Sequence, residues 1–252
     1  MHEFLPLGPE GKYSGEFTDE HAKTKEISHH EKRTKPGELY TKKIKAVCPS
    51  CNNGWMSGIE EGVIPSLTPL IKGEAATLNA DQLAIVARWG ALKAIILEHD
   101  RRETEVTPQS ERTAFMANGT IPPHFNIYLL SHASKSRIGH VRTTHLISRS
   151  KDGPSPPIEG RQKNVQQISV ILGSVMLYVN AARIDDFSIE QYIDMPAVIA
   201  LRIWPPNVVP LSWPTKPFLN NQQMYQLAYS MDRIAAQPQV RWGGELPIRN
   251  PY

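Results

Sequence analysis

Apolar positions along the chain repeat with two periods, and the switch between them divides it. Residues 77–100, TLNADQLAIVARWGALKAIILEHD, carry apolar side chains at 83, 85, 86, 89, 92, 95, 96 and 97. These cover most of a helical circumference and predict a helix buried on several sides. Asn79 is placed to accept from free N–H groups of the first turn, and Gln82 to reach back. Residues 107–119, TPQSERTAFMANG, predict a second helix capped by Thr107, with Pro108 at its first position and Asn118-Gly119 at its end. Beyond it the period falls to two. HFNIYLLS, HVRTTHLIS, VQQISVILGSVMLYV and AVIALRIW read as strands bounded by Gly, Pro, Ser or Asp clusters. No long helix separates them, so the sheet is expected to be mostly antiparallel. Residues 150–160, SKDGPSPPIEG, read as an exposed loop. NNQQMYQLAYSMDRIAAQ predicts a final helix with Met224, Leu227, Met231 and Ile234 on one face, ahead of a loop-like tail.

The first third is different. Residues 1–43 are polar, punctuated by Gly and Pro, and predict extended loop with at most one short helix. KIKAVC reads as a short strand entering a turn. WMSGIEEGVIPSLTPLI predicts a helix that Pro65 and Pro69 interrupt or end. The expected layout is a short module over residues 1–73 and an α+β domain over 74–252.

Composition narrows the classes. Hydrophobic residues make up 40% of the 252 and charged residues 21%, which suits a folded chain. No apolar run reaches bilayer length. The first twenty residues carry Pro6, Gly8, Pro9 and several acids where a signal peptide has an apolar core. A cytoplasmic protein is expected. The net charge of +3 says little about partners, but residues 21–47 hold seven Lys and one Arg against three Glu, a local balance of 8 − 3 = +5, with three His besides. Such a stretch suits a polyanion such as DNA or, more simply, a solvated arm.

The chain has two cysteines, Cys48 and Cys51, too few for a secreted disulfide framework. Their spacing is that of a knuckle presenting both sulfurs to one ion. Structural zinc needs four ligands, and this pair supplies two. A thioredoxin-type redox pair needs a helix N-terminus in a β-α-β setting, which the surrounding pattern does not offer. Two cysteines without a role complete the alternatives.

The residues after the pair add specificity. VCPSCNNGWMSGIE, from Val47 through Ser57, resembles the second half of the HNH-type endonuclease motif, and LIKGEAATLNADQLAIVARW extends the likeness loosely to about residue 97. The resemblance implies a ββα-metal fold, here a small partial zinc module ahead of the α+β domain. It also implies metal-assisted hydrolysis of a DNA phosphodiester. On it, Cys48 and Cys51 would ligate structural zinc, and Asn52 would face a catalytic divalent ion, magnesium or manganese, for which an amide oxygen is a suitable hard ligand. Asn53 would cap the helix, and Trp55 would pack it against the hairpin. Lys42, Lys43 and Lys45, at the end of the basic stretch, would contact phosphates and fix position without reading sequence.

The chain departs from the family in one respect. The family carries another Cys-x-x-Cys and an acidic residue ahead of the general-base His, all upstream. On one account those elements lie before Met1, and HEFLPL continues the family pattern after them. On the other, FTDEHAK is the acidic-His element, with Asp19 and Glu20 preceding His21, and His29 and His30 complete the zinc site; the residues after His21 fit that account poorly. Two functions are in play: an HNH-like endonuclease, intact or cut short, or a non-catalytic nucleic-acid-binding zinc-knuckle protein. A third is an α+β domain with a vestigial arm. Glu98-His99-Asp100 tempts a metal reading, but consecutive residues share no helical face, and a helix C-terminal cap is expected. His124, His132, His140 and His145 are expected to be structural.

Overall fold

The computed structural model describes residues 13–15, 33–35, 47–100, 104–133, 138–145, 163–183, 201–207, 210–228 and 230. Packing divides the chain into two compact units, Met1–Lys43 and Ile44–Tyr252. In the first, strands β1 (Tyr13–Gly15) and β2 (Arg33–Lys35) pair antiparallel, with Ser14 opposite Thr34. Loop is the expectation there, because three-residue polar strands carry no detectable alternation.

The second unit opens with a helical turn, α1 (Pro49–Cys51), and continues as a π-helical turn over Asn52–Met56 into α2 (Ser57–Lys72). Gly54 kinks the path, with φ −102° and ψ −114°. Pro65 and Pro69 neither interrupt nor end α2, contrary to expectation. Each proline removes one backbone bond, but Pro65 and the residue four before it, Glu61, lie on the exposed side, while Val63, Leu67, Leu70 and Ile71 are buried. Burial of that stripe outweighs the lost bonds. The stripe packs on α3 (Ala80–Leu97). That contact places α2 within the second compact unit, Ile44–Tyr252.

Helix α3 is the centre of the unit. Asn79 Oδ1 accepts from the Gln82 N–H, and Gln82 Oε1 accepts from the Asn79 N–H, both at 3.0 Å, closing the expected capping box. Leu83, Val86, Trp89 and Leu92 are buried. Gly90 lets helix and sheet approach closely: a Cβ there would stand 2.6 Å from Leu177 Cδ2. Strand β3 (Ala76–Leu78), between α2 and α3, pairs antiparallel with the distant β9 (Leu211–Trp213). Helix α4 (Gln109–Asn118) ends on Gly119 at φ 71°, as expected. Its N-cap is Pro108; Thr107 does not cap it, because its hydroxyl donates to Glu98 Oε1 at 2.6 Å.

The main sheet contains β4 (Phe125–Ser131), β5 (Ile138–His145), β6 (Val165–Leu172), β7 (Val175–Ala182) and β8 (Leu201–Trp204), in the order β5-β6-β7-β4-β8. Every neighbouring pair is antiparallel, so the architecture is α+β as expected. VQQISVILGSVMLYV proves to be a hairpin turning at Gly173-Ser174, with φ 55° at Gly173. Helix α5 (Asn221–Ala228) buries Met224 and Leu227 as expected; Asn220 and Gln223 close an unforeseen capping box in front of it at 2.9 and 3.0 Å. Met231, Ile234, the tail, the 150–160 loop and the KIKA part of the expected strand lie outside the described residues. No helix among the described residues is long and apolar enough to cross a membrane.

Residues opposite one another in the ladders share a face. Ile127, Leu129, Leu177, Val179 and Ile168 form one face; Ile127 and Leu177 meet α3 at Gly90. The other face carries Asn126, Tyr128, Tyr178, Asn180, Gln167 and Ser169.

Candidate functional site

The cysteine turn is built by local hydrogen bonding. Cys48 is the N-cap of α1, with φ −69° and ψ 154°, and its sulfur accepts from the Cys51 N–H at 3.3 Å. Its Sγ also lies 3.1 Å from Ser50 Oγ. Both cysteines are free. The Cys51 thiol interacts with the Cys48 sulfur as donor. That hydrogen bond, with the one from Ser50, holds the Cys48 thiol down to about 7. The same donation pushes the Cys51 thiol up.

The donor set, two sulfurs in one turn with the Cys51 N–H donating to one of them, is of the kind that structural zinc takes. Among the described residues, no group of three or more His, Cys, Asp or Glu stands close enough to hold a metal ion. The expected zinc module is therefore not shown among the described residues. His21, His29, His30, Lys42, Lys43 and Lys45 lie outside the described residues.

Asn52 comes directly after the pair and is exposed. Its N–H donates to the Cys48 carbonyl at 3.0 Å, and its Nδ2 donates to Asn53 Oδ1 at 3.2 Å. The amide oxygen is the remaining polar atom of its side chain. Asn53 does not cap α2, contrary to expectation, since the chain already enters α2 helically and no free first turn awaits a cap. Trp55 is half-buried and stacks edge-on against Phe115 of α4, ring centroids 5.9 Å apart. Its indole N–H closes no hydrogen bond of ordinary geometry but faces the Cys51 sulfur closely enough to favour the thiolate there. The turn is thus seated on α4, which the sequence pattern does not foretell.

A buried charged cluster at the end of α3 is likewise absent from the sequence-based expectations. The chain leaves α3 through a 3-10 turn, Glu98–Asp100, and the Glu98 side chain is 0% exposed. Its Oε2 accepts from the N–H groups of Val106 and Thr107, at 3.3 and 3.2 Å, and from Arg112 Nη2 at 2.5 Å. Its Oε1 accepts from Thr107 Oγ1 and from Gln166 Nε2 of β6. Arg112 Nε donates to the Thr107 carbonyl at 3.0 Å, and Nη1 donates to His99 Nε2 at 2.7 Å. Since Arg112 can only donate, the His99 proton belongs on Nδ1, which lies 3.1 Å from Glu105 Oε1. Arg142 of β5 extends the cluster through Gln166 and Thr104. The only sequence signal is the acidic residue closing a largely apolar helix; its partners come from three other segments, the loop after α3, α4 and β6.

The remaining histidines are scattered. His124 Nδ1 lies 3.3 Å from Glu111 Oε2 of α4. Burial pushes the His124 imidazole down to about 4, with Arg183 adding to the effect, so the contact is not an ion pair at neutral pH. Burial likewise raises Glu111. His132 Nε2 meets Asn221 Oδ1 at 3.3 Å, and His140 is half-buried on β5.

No family model matches this chain, and no curated protein or solved structure matches it.

Proposed function

We propose that the chain is an HNH-like, metal-dependent protein of the cytoplasm built for phosphodiester hydrolysis in DNA. One observation carries the reading: Cys48 and Cys51 share one turn, closed by the Cys51 N–H on the Cys48 sulfur at 3.3 Å, directly ahead of the exposed Asn52. Cys48 and Cys51 would hold structural zinc together with two donors from elsewhere. Asn52 would face magnesium or manganese, which when bound supplies Lewis acidity at the phosphate. His21 is the general base the sequence offers, and Lys42, Lys43 and Lys45 are its nearest cations for backbone phosphates.

A second reading is DNA binding without cleavage. The described side chains around the cysteines, Ser50, Asn52, Asn53 and Trp55, include no general base, and this favours it. Plasmid cleavage with magnesium or manganese separates the two readings when the unaltered chain is compared with Asn52→Ala and His21→Ala. Nicking abolished by Asn52→Ala supports the enzyme. Retention of labelled duplex without nicking supports the binder. Zinc content near one ion per chain, lost in Cys51→Ser, is expected under both; a chain that carries no zinc and retains no duplex removes both.

A further inference from the structure

The cysteine turn treats its two sulfurs differently. Cys48 is exposed, whereas Cys51 is half-buried. Three donors of the turn reach the Cys48 sulfur: the Cys51 N–H at 3.3 Å, the Ser50 hydroxyl at 3.1 Å and the Cys51 thiol. The accessible sulfur is thus the one on which negative charge is stabilised. Pro49 holds the first helical position, and the Asn52 N–H closes the turn on the Cys48 carbonyl at 3.0 Å. A closed turn keeps Cα atoms three residues apart within about 7 Å. A disulfide spans about 4.4–6.8 Å between Cα atoms, so the two residues stand within its reach.

We propose that Cys48 and Cys51 form a reversible disulfide by exchange with small-molecule disulfides, with Cys48 attacking and Cys51 resolving. In the first step Cys48, its proton given to solvent, attacks one sulfur of the oxidised small thiol. A mixed disulfide forms on Cys48, and one small thiol leaves as its thiolate and takes up a proton. In the second step Cys51 gives its proton to solvent and attacks Cys48 Sγ. The Cys48–Cys51 bond forms, and the second small thiol leaves in the same way. Two protein thiols are oxidised, and one small disulfide is reduced to two thiols.

The turn itself assigns the two roles. Attack needs an accessible sulfur that carries charge well, and the exposed Cys48 with its three donors meets both needs. Resolution needs a second sulfur beside the mixed disulfide but less open to one of its own. Cys51 is half-buried, and its thiol already contacts Cys48. The β-α-β setting of a thioredoxin-type centre is not required, because four consecutive residues supply all of these groups. The exchange does not rest on the nuclease reading. It bears on it in one way: an oxidised pair has no thiolate to offer zinc.

The test equilibrates the full chain with reduced and oxidised glutathione in varied ratio, with and without EDTA to strip any ion. Samples are quenched in acid, alkylated and read by intact mass and peptide mapping. Both thiols are expected to disappear together as an internal disulfide, with glutathione not retained, and dithiothreitol to restore both. Cys51→Ser is expected to keep glutathione on Cys48, since nothing resolves it. Cys48→Ser is expected to react roughly tenfold more slowly than Cys51→Ser, because its remaining sulfur is half-buried. Two thiols that stay alkylatable at every ratio in EDTA would overturn the proposal. So would glutathione held stably on Cys48 of the unaltered chain, or equal rates in the two variants. Zinc content is measured on the same samples before oxidation; its absence counts against the metal reading alone, and the exchange is judged by the thiols.

Discussion

Two buried polar clusters flank the main sheet, and they differ in one respect. On the side of α3, Glu98 accepts hydrogen bonds from the Val106 and Thr107 N–H groups, the Thr107 hydroxyl, Arg112 and Gln166. On the other side, Tyr128, Ser169 and Asn180 hold atoms with no partner among the described residues. Both groups are equally removed from water. The first is a structural anchor: it ties the loop between α3 and α4 to the end of α3 and to β6. The second has polar capacity in reserve. Burial alone therefore does not distinguish a satisfied polar group from an unsatisfied one; the state of its hydrogen bonds does.

The contrast breaks most visibly at Glu98. Glu98→Ala takes from buried Arg112 its closer carboxylate, leaving the 3.3 Å contact to Glu105, and is expected to destabilise the chain by about 3 kcal/mol, read from urea unfolding. Pairing it with Arg112→Leu should recover part of the loss, because no charge is then left unpaired. A single variant as stable as the unaltered chain would show that the cluster anchors nothing.

The next effect is pH dependence at His124, beside that cluster. Burial lowers its folded value from 6.5 to about 4, so as pH falls the unfolded chain takes up a proton there first. This contribution to stability is full above about pH 6.5 and drains away toward pH 4, by about 3 kcal/mol. Glu111, raised by burial, opposes it: its folded form keeps a proton to higher pH, which favours the folded chain in acid. His124→Gln is expected to flatten the stability profile between pH 7 and 4.5. An unchanged slope would place the acid sensitivity elsewhere.

The unpaired side should respond in the opposite sense. Asn180→Leu is expected to raise stability by about 1 kcal/mol, since it removes buried dipoles that have lost water without gaining partners. A loss as large as that of Glu98→Ala would erase the difference between the clusters. Ser169→Ala is the smallest change, expected within about 0.5 kcal/mol of the unaltered chain by thermal unfolding. A clear loss there would reveal a hydrogen bond at Ser169.

Much of the element order was legible because it rests on local rules. The capping box at Asn79, the αL stop at Gly119 and the alternation in HFNIYLLS each need only a few neighbouring residues. Misjudged elements depend on distant ones. Helix α2 survives Pro65 and Pro69 because α3 covers its apolar stripe, and Thr107 leaves its capping role because Glu98 reaches it first. At the cysteine turn, sequence spacing made the pair a candidate, while the seating of Trp55 on Phe115 came from α4.

The amino-acid sequence by itself determined the helix and strand segments, the basic stretch beside Cys48 and Cys51, and the short reach between the two sulfurs. Hydrophobic period, capping chemistry and a two-residue gap are properties of contiguous chain. Only the tertiary structure decided which face of the sheet turned toward α3, which carboxylate became the buried anchor, and which amide was left unpaired. Alternation assigns side chains to two faces without saying what covers either. Whether a buried polar atom is satisfied depends on groups brought from other strands and helices, and no local pattern carries that information.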